Sequence, residues 1–134
     1  MDTARIFIVE DEFIIAKGLA RKLEKLEYQV VGTVASGEEA LSQIEETDPD
    51  LVLMDILIEG EMDGIETATE VLQTFNIPVI YLTAYGDDKT LERAEQSGCY
   101  GYILKPFKQK EVHAAIRMAL SKHKQEKELA NANR

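Results

Sequence analysis

The chain has 134 residues, of which 45% are hydrophobic and 7% aromatic, and this fits one globular domain with an aliphatic core. The formal net charge of -10 disfavours direct binding to nucleic acid or to a membrane, because both of these partners are themselves negatively charged. The single cysteine, Cys99, excludes an internal disulfide. No signal peptide and no apolar run of membrane-spanning length is visible, so we expect a cytoplasmic protein.

Short apolar segments alternate along the chain with longer segments of helical spacing. The apolar segments cover residues 6–9, 30–34, 51–54, 79–82 and 102–104. The helical segments cover residues 12–27, 37–46, 65–75, a short stretch around 91–94, and 112–120. Because the apolar segments lack polar alternation, we expect strands that are buried on both faces of a parallel sheet. The alternation predicts an α/β fold, a doubly wound parallel sheet of five strands with five helices. For the strand order we take the flavodoxin-like 2-1-3-4-5, a common order of such sheets.

Local signals mark two helix starts and the end of the domain. Ser36 with Glu39, and Asp63 with Glu66, have the spacing of a capping box. Beyond residue 121 the apolar pattern fades into polar residues, alanine and asparagine. We therefore assign residues 1–124 to the domain, and residues 125–134 to a helical extension, linker or tail.

Polar side chains follow four of the predicted strands. Glu10 and Asp11 come after the first strand, Asp55 ends the third, Thr83 follows the fourth, and Lys105 follows the fifth. Each of these residues alone has an ordinary explanation as a helix start, a turn or a loop residue. Together they matter, because ligands of such sheets bind at the carboxyl ends of the strands. We expect the three carboxylates to converge there, with Thr83 and Lys105 opposite them.

The residue types in this cluster restrict its chemistry. Three close carboxylates must take up protons or share a cation, and an oxygen-only ligand set without histidine or cysteine favours Mg²⁺ or Mn²⁺. A carboxylate such as Asp55 is also a competent nucleophile that gives an aspartyl-phosphate. Lys105 can neutralise the developing charge and Thr83 can donate a hydrogen bond to a phosphoryl oxygen.

Five short motifs also resemble a known family. They are residues 9–12 (Val-Glu-Asp-Glu), 53–55 (Leu-Met-Asp), 63–64 (Asp-Gly), 82–84 (Leu-Thr-Ala) and 102–107 (Tyr-Ile-Leu-Lys-Pro-Phe). In this order they resemble the response-regulator receiver family of two-component signalling, over about residues 4–124. The chemotaxis-regulator-like fold of that family is the one predicted above.

The resemblance implies a chemical role for each pocket residue. Asp55 would accept a phosphoryl group from the phosphohistidine of a sensor histidine kinase or a histidine phosphotransfer protein. Asp11, Asp55 and the main-chain carbonyl of Leu57 would hold Mg²⁺, and Glu10, which replaces the commoner aspartate, would reach it directly or through water. Lys105 would contact the phosphoryl group through a loop in which its bond to Pro106 is cis. The protein would then be a phosphoacceptor rather than a turnover enzyme.

The resemblance also implies a switch and an output. Thr83 would move toward the phosphate and Tyr102 would turn inward, which changes the face of the fourth helix, fifth strand and fifth helix. That face would address a downstream protein, an attached output domain or a second phosphorylated copy. Leu57 and Tyr85 stand where family members control the access of water, and because both are bulky we expect slow loss of the phosphate.

Two other functions remain open at this point. A receiver-like interaction module that works without phosphorylation would share the fold. An aspartate-nucleophile phosphatase is a remote alternative, because that class needs a second aspartate two residues after the nucleophile, where this chain has Leu57.

Overall fold

A computed structural model describes residues 3–58, 60–84 and 88–132 of the chain. Five strands and five helices alternate strictly along the described chain. The strands are β1 (Arg5–Val9), β2 (Gln29–Val34), β3 (Leu51–Asp55), β4 (Val79–Thr83) and β5 (Tyr102–Leu104). The helices are α1 (Phe13–Lys25), α2 (Gly37–Thr47), α3 (Gly64–Phe75), α4 (Asp88–Gln96) and α5 (Gln109–Ala132).

The strands form one parallel sheet in the order β2-β1-β3-β4-β5, which confirms the predicted α/β topology. β1 and β3 are neighbours in the sheet. From β1 the chain continues to β2 on one side, and from β3 it continues to β4 and β5 on the other, as in a doubly wound sheet. The carboxyl ends of the strands therefore lie along one edge, with the switch point between β1 and β3. We call this the carboxyl edge of the sheet.

The prediction that all strands are buried on both faces is right for the central strands and wrong for the edges. All residues of β3 and β4 are buried, as are four of the five in β1. Most of β2 is half-buried or exposed, and Tyr102 and Leu104 of β5 are exposed. An edge strand has a neighbour on one side only, so less of its surface is covered, whatever its sequence pattern.

Each face of the sheet carries its own apolar core. Alternate residues of the central strands, such as Phe7 and Tyr81, pack with α2 and α3 on one face. The intervening residues, such as Ile8 and Leu82, pack with α1 and the first half of α5 on the other. Burial on both faces fixes the register of β1, β3 and β4, and so fixes what stands at their ends.

The helix caps and the end of α5 follow the predicted signals in part. Asp63 and Glu66 form a complete capping box at the start of α3. The Ser36 hydroxyl accepts the Glu39 N–H at the start of α2 and donates to the Glu39 carboxylate, so the reciprocal backbone bond of the box is replaced. Helix α5 continues without a break to Ala132, whereas the apolar pattern ends near residue 120. The division of the chain at residue 124 stays a prediction.

None of the helices in the described part of the chain is both long enough and apolar enough to cross a membrane.

Candidate functional site

Three carboxylates meet at the carboxyl edge, as predicted. Glu10 and Asp11 follow β1, Asp55 ends the adjacent β3, and carboxylate oxygens of all three lie within 4.8 Å of one another. Glu10 is only 2% exposed and Asp55 5% exposed, whereas Asp11 is half-buried at the mouth. The apolar residues before Glu10 and Asp55 are buried in the sheet, which holds both side chains at this edge. We call this group, together with Lys105, the acidic pocket.

Among the described residues, Lys105 is the one positively charged side chain that pairs with carboxylates of the pocket. Its ammonium group lies 2.7 Å from Glu10 Oε1 and 3.1 Å from Asp55 Oδ2, and its side chain is 17% exposed. The Lys105–Pro106 peptide bond is cis, as expected. The Lys105 N–H also donates to the Thr83 carbonyl at 2.8 Å, which ties the segment after β5 to the end of β4. The lysine is therefore held at the pocket by its backbone as well as by its charge.

Burial and crowding change the acid–base properties of the pocket. Burial, followed by the neighbouring carboxylate of Asp55, raises the pKa of Glu10 above its usual value, and Lys105 only partly opposes this. Burial and then Glu10 raise the pKa of Asp11. Burial alone would lower the pKa of Lys105, but its two carboxylate partners outweigh that effect and raise it. The pocket thus carries more negative charge than its single lysine balances.

Backbone groups orient the two buried carboxylates. The Leu57 N–H donates to Asp55 Oδ1 at 3.1 Å, and the Glu12 N–H donates to Glu10 Oε2 at 3.2 Å. Behind Asp55, the backbone of Gly64 approaches so closely that a Cβ atom there would lie 2.0 Å from the Asp55 carbonyl oxygen. The first turn of α3 is thus packed directly against the peptide of Asp55. The contribution of the Leu57 carbonyl to a metal site stays a prediction.

Thr83 and Tyr102 lie on the two strands beyond Asp55. Asp55 pairs with Leu82, so Thr83 stands one residue further along β4, and it is 6% exposed. Tyr102 lies on β5, where it pairs with Tyr81 of β4. It is 53% exposed, so its side chain points outward. Tyr85, the other residue predicted to control water access, lies outside the described residues.

The composition of the pocket fits a hard divalent cation. Its ligand atoms are carboxylate oxygens, and no histidine or cysteine of the described residues belongs to the cluster. Glu10 Oε1 is buried and accepts no well-aligned hydrogen bond within the described structure, although Lys105 lies beside it. Three carboxylates share this one lysine, and a divalent cation would balance the remaining negative charge. The acidic pocket is therefore suited to Mg²⁺ or Mn²⁺.

Two features of the site were not predicted from the sequence. Glu38, on the first turn of α2, accepts the N–H groups of Glu61 and Met62 through Oε1, both at 3.1 Å, and so fastens the loop between β3 and α3. Nothing local in the sequence links Glu38 to a loop 23 residues later. Large apolar side chains also stand exposed around the pocket: Phe13, Ile14 and Leu57 are 75%, 84% and 77% exposed. The sequence could have indicated their place beside the pocket, because they follow the pocket residues within a few positions of the chain.

Known proteins share both this sequence pattern and this fold. The chain is 36% identical over 121 residues to the transcriptional regulatory protein PdtaR of Mycobacterium tuberculosis and 37% identical over 117 residues to the response regulator protein VraR of Staphylococcus aureus. These alignments cover 90% and 86% of this chain but 58% and 56% of the relatives, so the chain spans little more than half of their length.

Solved structures and a family model agree with these relatives. The signal receiver domain of a modulated diguanylate cyclase from Desulfovibrio desulfuricans superposes with a TM-score of 0.89 at 38% identity, over 93% of this chain and 99% of that one. A response regulator from Chloroflexus aurantiacus superposes with a TM-score of 0.82 at 32% identity, over 90% of this chain and 99% of that one. The family model of the response regulator receiver domain matches residues 6–117. The chain therefore belongs to the response regulator receiver family of two-component signalling.

Proposed function

We propose that this receiver domain accepts a phosphoryl group on Asp55. The observation that carries the proposal is the grouping of the Asp55 carboxylate, which is 5% exposed, with the carboxylates of Glu10 and Asp11 and with the Lys105 ammonium, which contacts both Asp55 and Glu10. An aspartate that served only as a turn residue would not need two acidic neighbours and a lysine at this depth.

The transfer itself requires one bond to form and one to break. A carboxylate oxygen of Asp55 attacks the phosphorus of a phosphohistidine, the new O–P bond forms as the N–P bond breaks, and the imidazole nitrogen leaves with the electron pair. Asp11, Asp55, the Leu57 carbonyl and Glu10 are the groups that would hold Mg²⁺, which supplies charge neutralisation for phosphoryl oxygens. Receiver domains of this family bind Mg²⁺ at such an acidic pocket.

Lys105 and Thr83 supply the remaining contacts. The ammonium group of Lys105 already lies 3.1 Å from Asp55 Oδ2, so it can pair with an oxygen of the transferred group with little movement. Thr83 stands on the neighbouring strand end, and its hydroxyl can donate to another phosphoryl oxygen after a small shift. The chain does not need to act on any further substrate, so we expect no turnover chemistry.

The surroundings of the pocket indicate what kind of protein delivers the phosphoryl group. Phe13, Ile14 and Leu57 expose large apolar surfaces beside the carboxylates. A small phosphodonor would not use these surfaces, but a protein that presents a phosphohistidine from a helix can bury them as it docks. The partner we propose is a sensor histidine kinase or a histidine phosphotransfer protein.

The phosphorylated domain would signal through the strands beyond Asp55. Thr83 moves toward the phosphoryl group, Tyr102 leaves its exposed position and turns inward, and the face of α4, β5 and α5 changes with them. That face would address a downstream protein, an attached output domain or a second copy of the chain. The aligned region covers 58% of a relative that is a transcriptional regulatory protein, which favours an attached output.

The first experiment tests the acceptor directly. We expect incubation with acetyl phosphate and Mg²⁺ to add one phosphoryl group to the protein, as measured by intact mass. The gain should disappear without Mg²⁺ and in Asp55→Asn. Asp48→Asn is the matched control, because Asp48 lies at the opposite edge of the sheet in a left-handed conformation that asparagine tolerates.

Two results would contradict the proposal. Phosphorylation of Asp55→Asn to the wild-type level would place the acceptor elsewhere. No phosphorylation of the wild type, together with no binding of beryllofluoride and Mg²⁺, would favour an interaction module that works without phosphorylation. If phosphorylation succeeds, the lifetime of the product tests the expectation that bulky side chains such as Leu57 slow hydrolysis, and decay within seconds would contradict it.

A further inference from the structure

The second half of α5 is not held to the domain by apolar packing. Val112, Ile116 and Ala119 are buried, but from residue 121 to residue 132 every side chain is exposed except that of His123, which is half-buried. We call residues 121–132 the α5 extension. Between it and the amino edge of the sheet lies a cavity of about 680 Å³, lined in part by Phe75, Pro78 and Lys127. The apolar core therefore does not continue beneath the extension.

A small polar cluster fastens the extension instead. The Tyr100 hydroxyl donates to Glu126 Oε2, and the Lys122 ammonium lies 5.2 Å from the centroid of the Tyr100 ring. The His123 ring meets the same tyrosine edge-on at a centroid distance of 5.9 Å. His123 Nε2 also donates to the carbonyl of Asn76, the residue that ends α3, at 2.8 Å. We call these five residues the latch.

Tyr100 is the centre of the latch, since three residues of the extension contact its ring or hydroxyl. Burial and then Glu126 raise the pKa of Tyr100 to about 12, so the hydroxyl keeps its proton and remains a donor at neutral pH. The extension contributes Lys122, His123 and Glu126, which lie on two consecutive turns of α5. A helical segment held by a few polar and aromatic contacts can separate from the domain without disrupting the core.

The latch is joined to the strand that carries the proposed switch. Tyr100 and Tyr102 flank Gly101 at the start of β5. The Tyr100 N–H donates to the Val79 carbonyl at 2.9 Å, and the Tyr81 N–H donates to the Gly101 carbonyl at 3.0 Å. Both tyrosines are therefore fixed to the same stretch of β4. Tyr100 lies only two residues before Tyr102, so a backbone change that accompanied the turn of Tyr102 would reach Tyr100 through Gly101.

We propose that the latch holds the α5 extension against the domain while Tyr102 faces solvent, and that the inward turn of Tyr102 after phosphorylation releases the extension. The structure has the closed latch together with an outward Tyr102 that is 53% exposed. The release step rests on the proposed function of Asp55, whereas the holding step rests on the contacts of the latch alone. The extension is thus a movable arm that leads away from the domain.

Hydrogen–deuterium exchange of the full chain, followed by mass spectrometry, tests the holding step. Tyr100→Phe removes the hydrogen bond to Glu126 and keeps the ring, and we expect amides of residues 121–132 to exchange about fivefold faster. Tyr28→Phe is the matched control, because the Tyr28 hydroxyl bonds to His113 Nδ1, at 2.9 Å, in the packed half of α5. It should leave the exchange of residues 121–132 unchanged. Equal exchange of these residues in wild type and Tyr100→Phe would show that the Tyr100 hydroxyl does not hold the extension, and would overturn the proposal.

The release step is measured on the same peptides after phosphorylation with acetyl phosphate and Mg²⁺, with the phosphorylated fraction read from intact mass. We expect phosphorylated wild type to exchange residues 121–132 faster, and Tyr100→Phe to show little further increase. Phosphorylated wild type with unchanged exchange would overturn the release while leaving the acceptor role of Asp55 intact. A wild type that takes up no phosphate would overturn the release together with the proposed function, and the comparison of Tyr100→Phe with wild type would still decide the latch.

Discussion

The acidic pocket and the latch each contain a glutamate and a lysine, but these side chains lie at different depths. In the pocket, Glu10 is 2% exposed and the side chain of Lys105 17% exposed. In the latch, Lys122 and Glu126 are exposed. Buried charges must be balanced inside the protein, whereas exposed charges are also balanced by water. The same residue types therefore give a rigid, strongly coupled site at one end of the sheet and a weak, reversible contact at the other.

This difference has a quantitative consequence. Removing one member of a buried ion pair leaves its partner charged and unsolvated, which costs about 3–5 kcal/mol. An exposed pair contributes about 0–1 kcal/mol, because water replaces the lost partner. Substitutions that test the comparison should thus fall into two groups, large at the pocket and small at exposed contacts.

The largest effect is expected for Lys105→Met, which keeps the length of the side chain and removes its charge. The carboxylates of Glu10 and Asp55 would then lack their shared cation, and we expect the free energy of unfolding to fall by about 3 kcal/mol at neutral pH without Mg²⁺. The raised pKa of Glu10 would rise further, so the deficit should shrink as the pH is lowered and Glu10 takes up a proton. Urea unfolding at several pH values measures both.

The control for this substitution is Lys108→Met, an exposed lysine three residues later. It should leave the free energy of unfolding nearly unchanged. Adding Mg²⁺ should restore part of the stability lost in Lys105→Met, because the cation balances the same carboxylates. Equal, small losses in both variants would show that the charges of the pocket are as well solvated as the exposed ones.

The next effect is expected for Gly64→Ala, which alters the packing of the pocket without altering its charge. The new Cβ atom would lie 2.0 Å from the Asp55 carbonyl oxygen, so the start of α3 or the peptide of Asp55 must shift. We expect a loss of about 2–3 kcal/mol in the free energy of unfolding and slower phosphorylation by acetyl phosphate. Gly18→Ala is the control, because a Cβ atom there meets nothing within 4 Å. Similar stability of the two variants would contradict the close packing behind Asp55.

The sequence alone was sufficient for the fold and for the members of the pocket. Apolar segments such as residues 51–54 have a local signature, and the residues directly after them must reach the carboxyl edge once the strands are parallel. Glu10, Asp55 and Lys105 could therefore be brought together without coordinates. The burial of the edge strands was predicted wrongly, because coverage depends on neighbours in space rather than on the composition of the strand.

The contacts of the α5 extension and of Glu38 could not be predicted, for a different reason. Tyr100 and Glu126 are 26 residues apart, and Glu38 and Glu61 are 23 apart. Each pair joins exposed side chains or loops whose sequences have no periodicity and many acceptable partners. Apolar periodicity reports the core, so it ended near residue 120 while the helix continued to Ala132. Exposed polar contacts depend on the tertiary arrangement and leave no local pattern.

The smallest effect is expected for Glu38→Gln. This substitution distinguishes the effect of burial from the effect of being close to the acidic pocket. Glu38 lies at the carboxyl edge near the acidic pocket, but it is exposed. Its own backbone N–H, together with that of Met62, lowers its pKa from the usual 4.5, the opposite direction to Glu10. A lowered pKa in the folded state means that ionised Glu38 stabilises the fold above pH 4.5 and that this contribution is lost as the pH falls through the lowered pKa.

We therefore expect wild type to be slightly more stable than Glu38→Gln at neutral pH, by far less than the loss expected for Lys105→Met, and the two proteins to become equal in acid. Urea unfolding at both pH values measures the difference, with Glu46→Gln, which is also exposed on α2, as the control. A loss as large as that of Lys105→Met would mean that nearness to the pocket governs the energetics. A small loss that vanishes in acid would mean that exposure to solvent governs the energetics. Glu38 lies at the carboxyl edge, as the pocket does, but it is exposed, as Lys122 and Glu126 of the latch are.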